Sequence, residues 1–205
     1  MPRLILGSGS PRRATLLAEM GVPFEVRVSD IPEVPVPGEP AERFARRIAR
    51  EKGAAVAATA SAAGAWVLSA DTVVVLDDVP LGKPVDATAA RAMLESLSGR
   101  SHQVITAVAL TRPDGVLASE IAVSSTVAMR PISAKEIDAY LATGEPFDKA
   151  GGYGIQGKAS PFISGVTGSY TNVVGLPVDE VRRELARFGL LPPPADAERR
   201  QAGRE

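Results

Sequence analysis

Apolar runs rich in β-branched residues alternate with helical patterns along most of this chain, and no single motif constrains its fold as strongly. Strand-like runs fall at residues 4–6, 24–28, 66–68 with 73–76, 104–110 and 121–127. Helical patterns lie between them at 11–20, 41–58, 87–97, 134–143 and 178–188. This order predicts an α/β fold. The strands expected near 104–110 and 116–128 flank Arg112, Pro113, Asp114 and Gly115, a hairpin signal that makes the expected sheet mixed. Pro32, Pro35, Pro37 and Pro40 crowd residues 29–40, too many for a helix or a central strand, so a stiffened loop is expected there. The 205 residues suffice for one large domain or for two small lobes around a shared cleft. Residues 1–191 are expected to form one α/β domain, and 192–205, which lack apolar periodicity, a disordered tail.

Composition narrows the chemistry. There is no cysteine, so disulfides, thiolate metal sites and cysteine nucleophiles are excluded. His102 is the only histidine, which makes zinc chemistry and Ser-His-Asp hydrolysis poor fits, and a lone histidine is more often a structural hydrogen-bonder. A formal net charge of -1 offers no global field for nucleic acid, so any anion site must be local. No apolar run approaches the roughly 18 residues of a membrane span, and no signal peptide is visible. A cytoplasmic protein without membrane or nucleic-acid partners is the expectation. What remains is carboxylates with lysines and arginines, the toolkit of metal-assisted phosphoryl or nucleotidyl hydrolysis.

Several segments could carry such chemistry. In LILGSGSPRR, from Leu4 to Arg13, Ser10 suits a helix N-cap and Pro11 the first helical position. Arg12 and Arg13 then fall in the first turn, where the helix dipole disfavours cations. With Ser8 and Ser10 beside them they form either an anion site, best suited to phosphate, or a solvated pair on a capped helix. In the helix expected at 41–58, Lys52 stands four residues after Ile48, on the apolar stripe, while Arg43, Arg46, Arg47 and Arg50 face elsewhere. Such a lysine either snorkels at the stripe's edge or points into a cleft. Asp71 falls at an expected break in the apolar run around residues 66–76. It is either a turn aspartate or a general base or metal ligand. Gly82, Lys83 and Pro84 present a lysine on a turn, and no Walker A pattern occurs. The stretch GEPFDKAGGYGIQG at 144–157 sets Asp148, Lys149, Tyr153 and Gln156 among five glycines, as a binding loop would. The block GSYTNVVGLP at 168–177 could pack beside it.

These residues resemble the Maf family of nucleotide pyrophosphatases, also called septum formation inhibitor proteins. The resemblance spans about residues 3–190 and rests on SGSPRR at 8–13, the Glu33 loop, Lys52, ADTVV at 70–74, GKP at 82–84, LSGRSH at 97–102, DKAGGYGIQG at 148–157 and VGLP at 174–177. It implies a mixed, elongated sheet flanked by helices, with two lobes around a deep cleft, similar to inosine triphosphate pyrophosphatases. It also implies hydrolysis of a nucleoside triphosphate to the monophosphate and pyrophosphate with a divalent metal (Mg²⁺ or Mn²⁺), in a protein often dimeric. The DKAGGYGIQG block is similar to that of the branch preferring dTTP and UTP.

By resemblance Asp71 is the proton acceptor, while Arg12, Thr72 and Gln156 tune base specificity. Glu33, Lys52, Lys83, Asp148 and Lys149 are polar cleft positions. The mechanism expected from this has Arg12 and Arg13 gripping phosphates beside Ser8 and Ser10, and Lys52 and Lys83 neutralising the departing pyrophosphate. Glu33, with Asp71, holds the metal, and Gln156 reads the uracil or thymine edge. Gly7, where alanine is common, and Asp30, where the loop often has glutamate, depart from the pattern; Asp30 leaves open how that loop helps to bind metal. The alternative is a non-catalytic nucleotide-binding regulator of septum formation.

Overall fold

The computed structural model describes residues 2–59 and 62–191; the tail expected at 192–205 lies outside them. The chain runs β1 (Leu4–Leu6), α1 (Pro11–Ala18), β2 (Glu25–Val26), α2 (Ala41–Ala57), β3 (Trp66–Leu76), β4 (Val79–Leu81), α3 (Ala87–Leu97), β5 (Ser101–Thr111), β6 (Leu117–Met129), α4 (Ala134–Leu141), β7 (Ile163–Thr167), α5 (Tyr170–Val174) and α6 (Val178–Arg187), with 3₁₀ turns between α4 and β7. The strands form one sheet in the order β2-β1-β3-β5-β6-β7, with β4 also paired to β3. β1 runs parallel to β2 and β3, and the remaining pairs are antiparallel. The sheet is therefore mixed, as expected. The β5–β6 hairpin closes where the turn residues foretold it, with Gly115 at φ 82° donating to the Arg112 carbonyl.

Alternation along β3 and β5 divides the core between the two faces of the sheet. On one face α2 lays Phe44, Ala45, Ile48 and Ala49 against Val73, Val75, Ile105, Ala107 and Ala109. The opposite face carries two apolar clusters in succession. One joins Leu68, Ala70, Val108 and Leu110 to α1 and α6 through Leu16, Leu17, Val181 and Leu185. The other joins Val74, Leu76, Val104 and Met129 to α3 and α4 through Leu94, Leu97 and Ile137. Between these clusters the paired residues Thr72 and Thr106 interrupt the apolar surface. A single long sheet thus supports two lobes, and the polar seam between them underlies the cleft.

β3 corrects the expected break at Asp71, for the strand runs unbroken from Trp66 to Leu76. The interruption in apolar pattern is a satisfied polar patch facing α2. Ser69 Oγ donates to the Ala49 carbonyl at 2.7 Å, and Asp71 meets Lys52 two residues on. Gly53 permits this approach, since a Cβ there would lie 2.7 Å from Ser69 Oγ and 2.8 Å from Thr111 Oγ1. The segment expected at 24–28 pairs only at Glu25–Val26, and β4, β7 and α5 were not foreseen. β4 and β7 are short edge strands, and their pairing partners are set by tertiary position.

Candidate active site

β1 covers β3 only through Leu68, and β4 begins to cover it at Val74. From residue 69 to 73 that edge has no strand beside it among the described residues. Asp71 and Thr72 therefore reach a common opening from opposite faces of the sheet. The opening is a cavity of about 420 Å³, lined by the β1–α1 loop, Glu33, Lys52, Asp71, Thr72, Lys83, the glycine-rich segment at 148–155 and Val173 to Gly175. Its volume is of the order used for small-molecule ligands.

On the α2 face Lys52, only 8% exposed, places its Nζ 2.8 Å from Asp71 Oδ1 and 2.7 Å from Glu33 Oε1. The neighbouring arginines turn outward as expected, Arg46 and Arg50 to Glu120 and Arg47 to Glu39. Burial raises the Asp71 pKa above its ordinary value, although Lys52 and Arg13 draw it down. Partial desolvation acts upward on Glu33 too, but the Lys52 contact and the charges of Lys83 and Arg13 leave its pKa below normal. Asp71 Oδ2 and Glu33 Oε2 accept no hydrogen bond among the described residues. No group of three or more His, Cys, Asp or Glu there could hold a metal alone. Two carboxylates with free oxygens beside a phosphate site nonetheless fit the way Mg²⁺ is held, by one or two carboxylates plus substrate phosphates.

The adjacent arginines separate. Ser10 caps α1, its Oγ accepting from Arg13 N–H at 3.5 Å, with Pro11 in the first turn. Arg13 then donates Nε–H to the Gly175 carbonyl (2.8 Å), NH1 to Ser8 Oγ (3.0 Å) and the Ala70 carbonyl (2.8 Å), and NH2 to Thr72 Oγ1 (2.9 Å). Four of its five N–H bonds thus go to protein acceptors, so Arg13 acts as a strut tying α1 to β3 and Gly175, and this geometry gives no support to the expected phosphate grip. Thr106 Oγ1 donates to the Asn172 carbonyl, so the proton in the Thr72–Thr106 contact comes from Thr72. Among the described residues Arg12 and Lys83 have no hydrogen-bond or ion-pair partner, and both line the cavity. The Lys52 ammonium lies between two carboxylates, whereas Lys83 and Arg12 have no such partner among the described residues.

The glycine-rich segment supplies the far wall. Glu145 anchors it, accepting from Tyr140 O–H at 3.1 Å and Lys158 N–H at 2.9 Å. A Cβ at Gly157 would fall 2.0 Å from the Glu145 carboxylate, so a side chain there would push that carboxylate out of its place. Gly151 (φ 68°) packs against Val74 and donates to the Gly82 carbonyl at 3.0 Å, pinning the wall to the turn that presents Lys83. Lys149 bonds the Glu145 carbonyl at 2.8 Å and Asp148 at 2.6 Å. Gln156 is the exception among the expected site residues. The turn that buries Ile155 carries the next side chain outward, and Gln156 is exposed and does not line the cavity.

Against this geometry, residues 3–188 match the profile of the family described as Maf-like protein. The chain belongs to the Maf-like family. It is 51% identical over 191 residues to a dTTP/UTP pyrophosphatase of Geobacter sulfurreducens, an alignment covering 92% of this chain and 98% of the relative. It is 48% identical over 190 residues to the dTTP/UTP pyrophosphatase of Anaeromyxobacter dehalogenans strain 2CP-1, covering 92% and 95%. A solved dITP/XTP pyrophosphatase from Mycobacterium abscessus aligns at TM-score 0.43 and 18% identity over 93% of this chain and 98% of that one, too distant to bear on the site.

Within this Maf-like chain, Ser8, Ser10, Arg12, Arg13, Glu33, Lys52, Asp71, Thr72, Lys83, Asp148 and Lys149 all line one cavity. The block at 168–177 packs there too, through Val173, Val174 and Gly175. Sequence reasoning missed the acceptor roles of the Ala70 and Gly175 carbonyls and the floor formed by Val74 and Val104. Backbone acceptors carry no side-chain signature, and valines in a strand look alike whether they face core or cleft. No helix among the described residues is long and apolar enough to cross a membrane.

Proposed function

We propose that this chain hydrolyses dTTP and UTP to the monophosphate and pyrophosphate. The observation that carries this is Asp71, a buried carboxylate of raised pKa with one oxygen free among the described residues, opening on a cavity where Arg12 and Lys83 likewise lack partners among them. The names of relatives near half identity, dTTP/UTP pyrophosphatases, supply the substrate class.

Asp71 Oδ2 takes a proton from a water whose oxygen bonds to the α-phosphorus. The bond from that phosphorus to the α–β bridging oxygen breaks, and pyrophosphate leaves with the electron pair. A raised pKa brings the base nearer the working pH, and general-base catalysis typically contributes about 10²–10⁴-fold. Lys52 holds Oδ1 and so aims Oδ2, while Arg12 and Lys83 offset the charge growing on the departing pyrophosphate. The N-terminus of α1, with Ser8 and Ser10 alongside, adds backbone N–H groups suited to phosphate oxygens. A divalent cation (Mg²⁺ or Mn²⁺) held by Glu33 and Asp71 with phosphate oxygens would supply further neutralisation of phosphate charge. The exposed position of Gln156 gives no support to its reading the base edge.

The test is pyrophosphate release from a panel of canonical and modified nucleoside triphosphates with Mg²⁺ or Mn²⁺, run beside Asp71→Asn. Turnover of dTTP and UTP that collapses in the variant supports the reading. Turnover that survives moves the base elsewhere, with Glu33 next. Nucleotide binding without turnover of any substrate would favour the regulator.

A further inference from the structure

The cavity lining divides by chemistry. Glu33, Lys52, Asp71, Lys83 and the arginine loop are coupled by charge, whereas Val74, Val104, Tyr153 and Val173 belong to one apolar cluster. The charged part suits a triphosphate. The apolar part, with one aromatic ring, suits the uncharged nucleoside half with its planar base.

That ring is held from below. His102 lies on β5 two residues before Val104, on the same face, and is 3% exposed. Its Nε2 is 2.6 Å from Tyr153 Oη, with the rings edge-on at 5.4 Å and 83°. Its Nδ1 is buried without a partner among the described residues. Burial lowers the imidazole pKa to about 4, so the ring is neutral near pH 7 and has one N–H to place. If Nε2 carried it, both Nδ1 and the Tyr153 hydroxyl proton would lack partners. With the proton on Nδ1, Tyr153 donates to Nε2 and a single N–H is left unsatisfied. Tyr153 follows Gly151 and Gly152, whose φ values of 68° and 71° turn the chain to bring the ring under the wall. Its contact with His102 is therefore a side-chain tether from the glycine-rich wall to the sheet.

We propose that His102 is a positioning residue for nucleoside affinity: by accepting the Tyr153 hydroxyl proton it fixes the apolar wall against which the nucleoside half of the substrate packs. The inference rests on the pyrophosphatase reading above. It assigns to the buried pair an effect on nucleoside binding and none on phosphate binding.

The experiment compares wild type, Tyr153→Phe, His102→Leu, His102→Gln and the Tyr153→Phe/His102→Leu double variant. It reads KM and kcat for UTP, and the inhibition constant of inorganic pyrophosphate, which occupies only the phosphate part. Tyr153→Phe keeps the ring and removes only the hydroxyl, so the test does not depend on His102→Leu folding. The expected result is a rise of about fivefold in UTP KM for Tyr153→Phe and His102→Leu, the scale of one neutral hydrogen bond. Turnover stays within about twofold and pyrophosphate inhibition is unchanged. The double variant is no worse than either single one, and His102→Gln, whose amide oxygen can accept the same proton, recovers part of the loss. A wild-type KM in Tyr153→Phe overturns the inference. So do additive losses, or pyrophosphate inhibition weakening in step with KM, which marks general distortion. If wild type binds UTP without turning it over, the catalytic reading fails and Kd replaces KM in the same comparison. If it binds no UTP, both readings fall.

Discussion

Asp71 and Thr72 are neighbours on one strand, yet their side chains leave opposite faces of the sheet and enter different kinds of environment. On the Asp71 face, charges are kept close with oxygens left free, since Lys52 satisfies one oxygen of Asp71 and one of Glu33. On the Thr72 face a chain of donors is matched to acceptors, running from Arg13 through Thr72 and Thr106 to the Asn172 carbonyl. A group that moves protons needs unspent capacity and a pKa displaced toward the working pH. A group that holds shape needs its hydrogen bonds complete. The contrast teaches that charge alone does not mark the reacting groups here, because Arg13 is as charged as Arg12 but is consumed as a strut.

Substitutions on the two faces should therefore separate turnover from stability. The largest effect is expected for Asp71→Asn, which lowers kcat by about 10²–10⁴-fold with little loss of UTP binding; equal kcat in the variant breaks the comparison. Lys52→Met keeps Asp71 but removes the cation that draws its pKa down. The acid limb of the kcat/KM profile, already above the ordinary aspartate range, then moves to still higher pH.

On the other face, Arg13→Lys cannot reproduce the planar fork and strands several acceptors. We expect a loss of about 2–4 kcal/mol in denaturant unfolding, against less than about 0.5 for Arg12→Lys. Similar losses for the two lysine variants would remove the distinction between strut and free cation.

His102 gives the second face a pH signature. His102 protonates near 6.5 when unfolded and only at about 4 in the folded chain. Its contribution is complete above pH 6.5 and is lost as pH falls toward 4, by about 3 kcal/mol. Unfolding of His102→Gln across that window should lack this part of the slope. The smallest effect belongs to Thr72→Val, which removes one acceptor and one donor from the relay and should cost about 1 kcal/mol in urea titrations.

Much of the scaffold could be read without the fold. The five longer helices and the β5–β6 hairpin appear where periodicity, Ser10-Pro11 and the Arg112–Gly115 turn put them, because caps and turns are short-range physics. Lys52 was legible as an anomaly on an apolar stripe, and its partner Asp71 as a carboxylate in an apolar run. What misled was reading Asp71 as a strand break. The pattern shows that a polar side chain interrupts apolar ones, but not whether a helix across the gap will satisfy it. β4 and β7 escaped for a related reason, as short edge strands whose partners lie elsewhere in the chain.

Sequence by itself determined the alternation of elements, the capped start of α1 with two arginines in its first turn, and the residue types available for chemistry. Tertiary structure alone decided which of those arginines stays free. Arg12 and Arg13 have the same local surroundings, but three of the four acceptors that consume Arg13 lie 57 to 162 residues away, on β3 and at Gly175. Only the folded chain brings them within hydrogen-bond distance. The same holds for the opening itself, which exists because β1 ends and β4 begins with five residues of β3 left between them, a coincidence of register that no local pattern encodes.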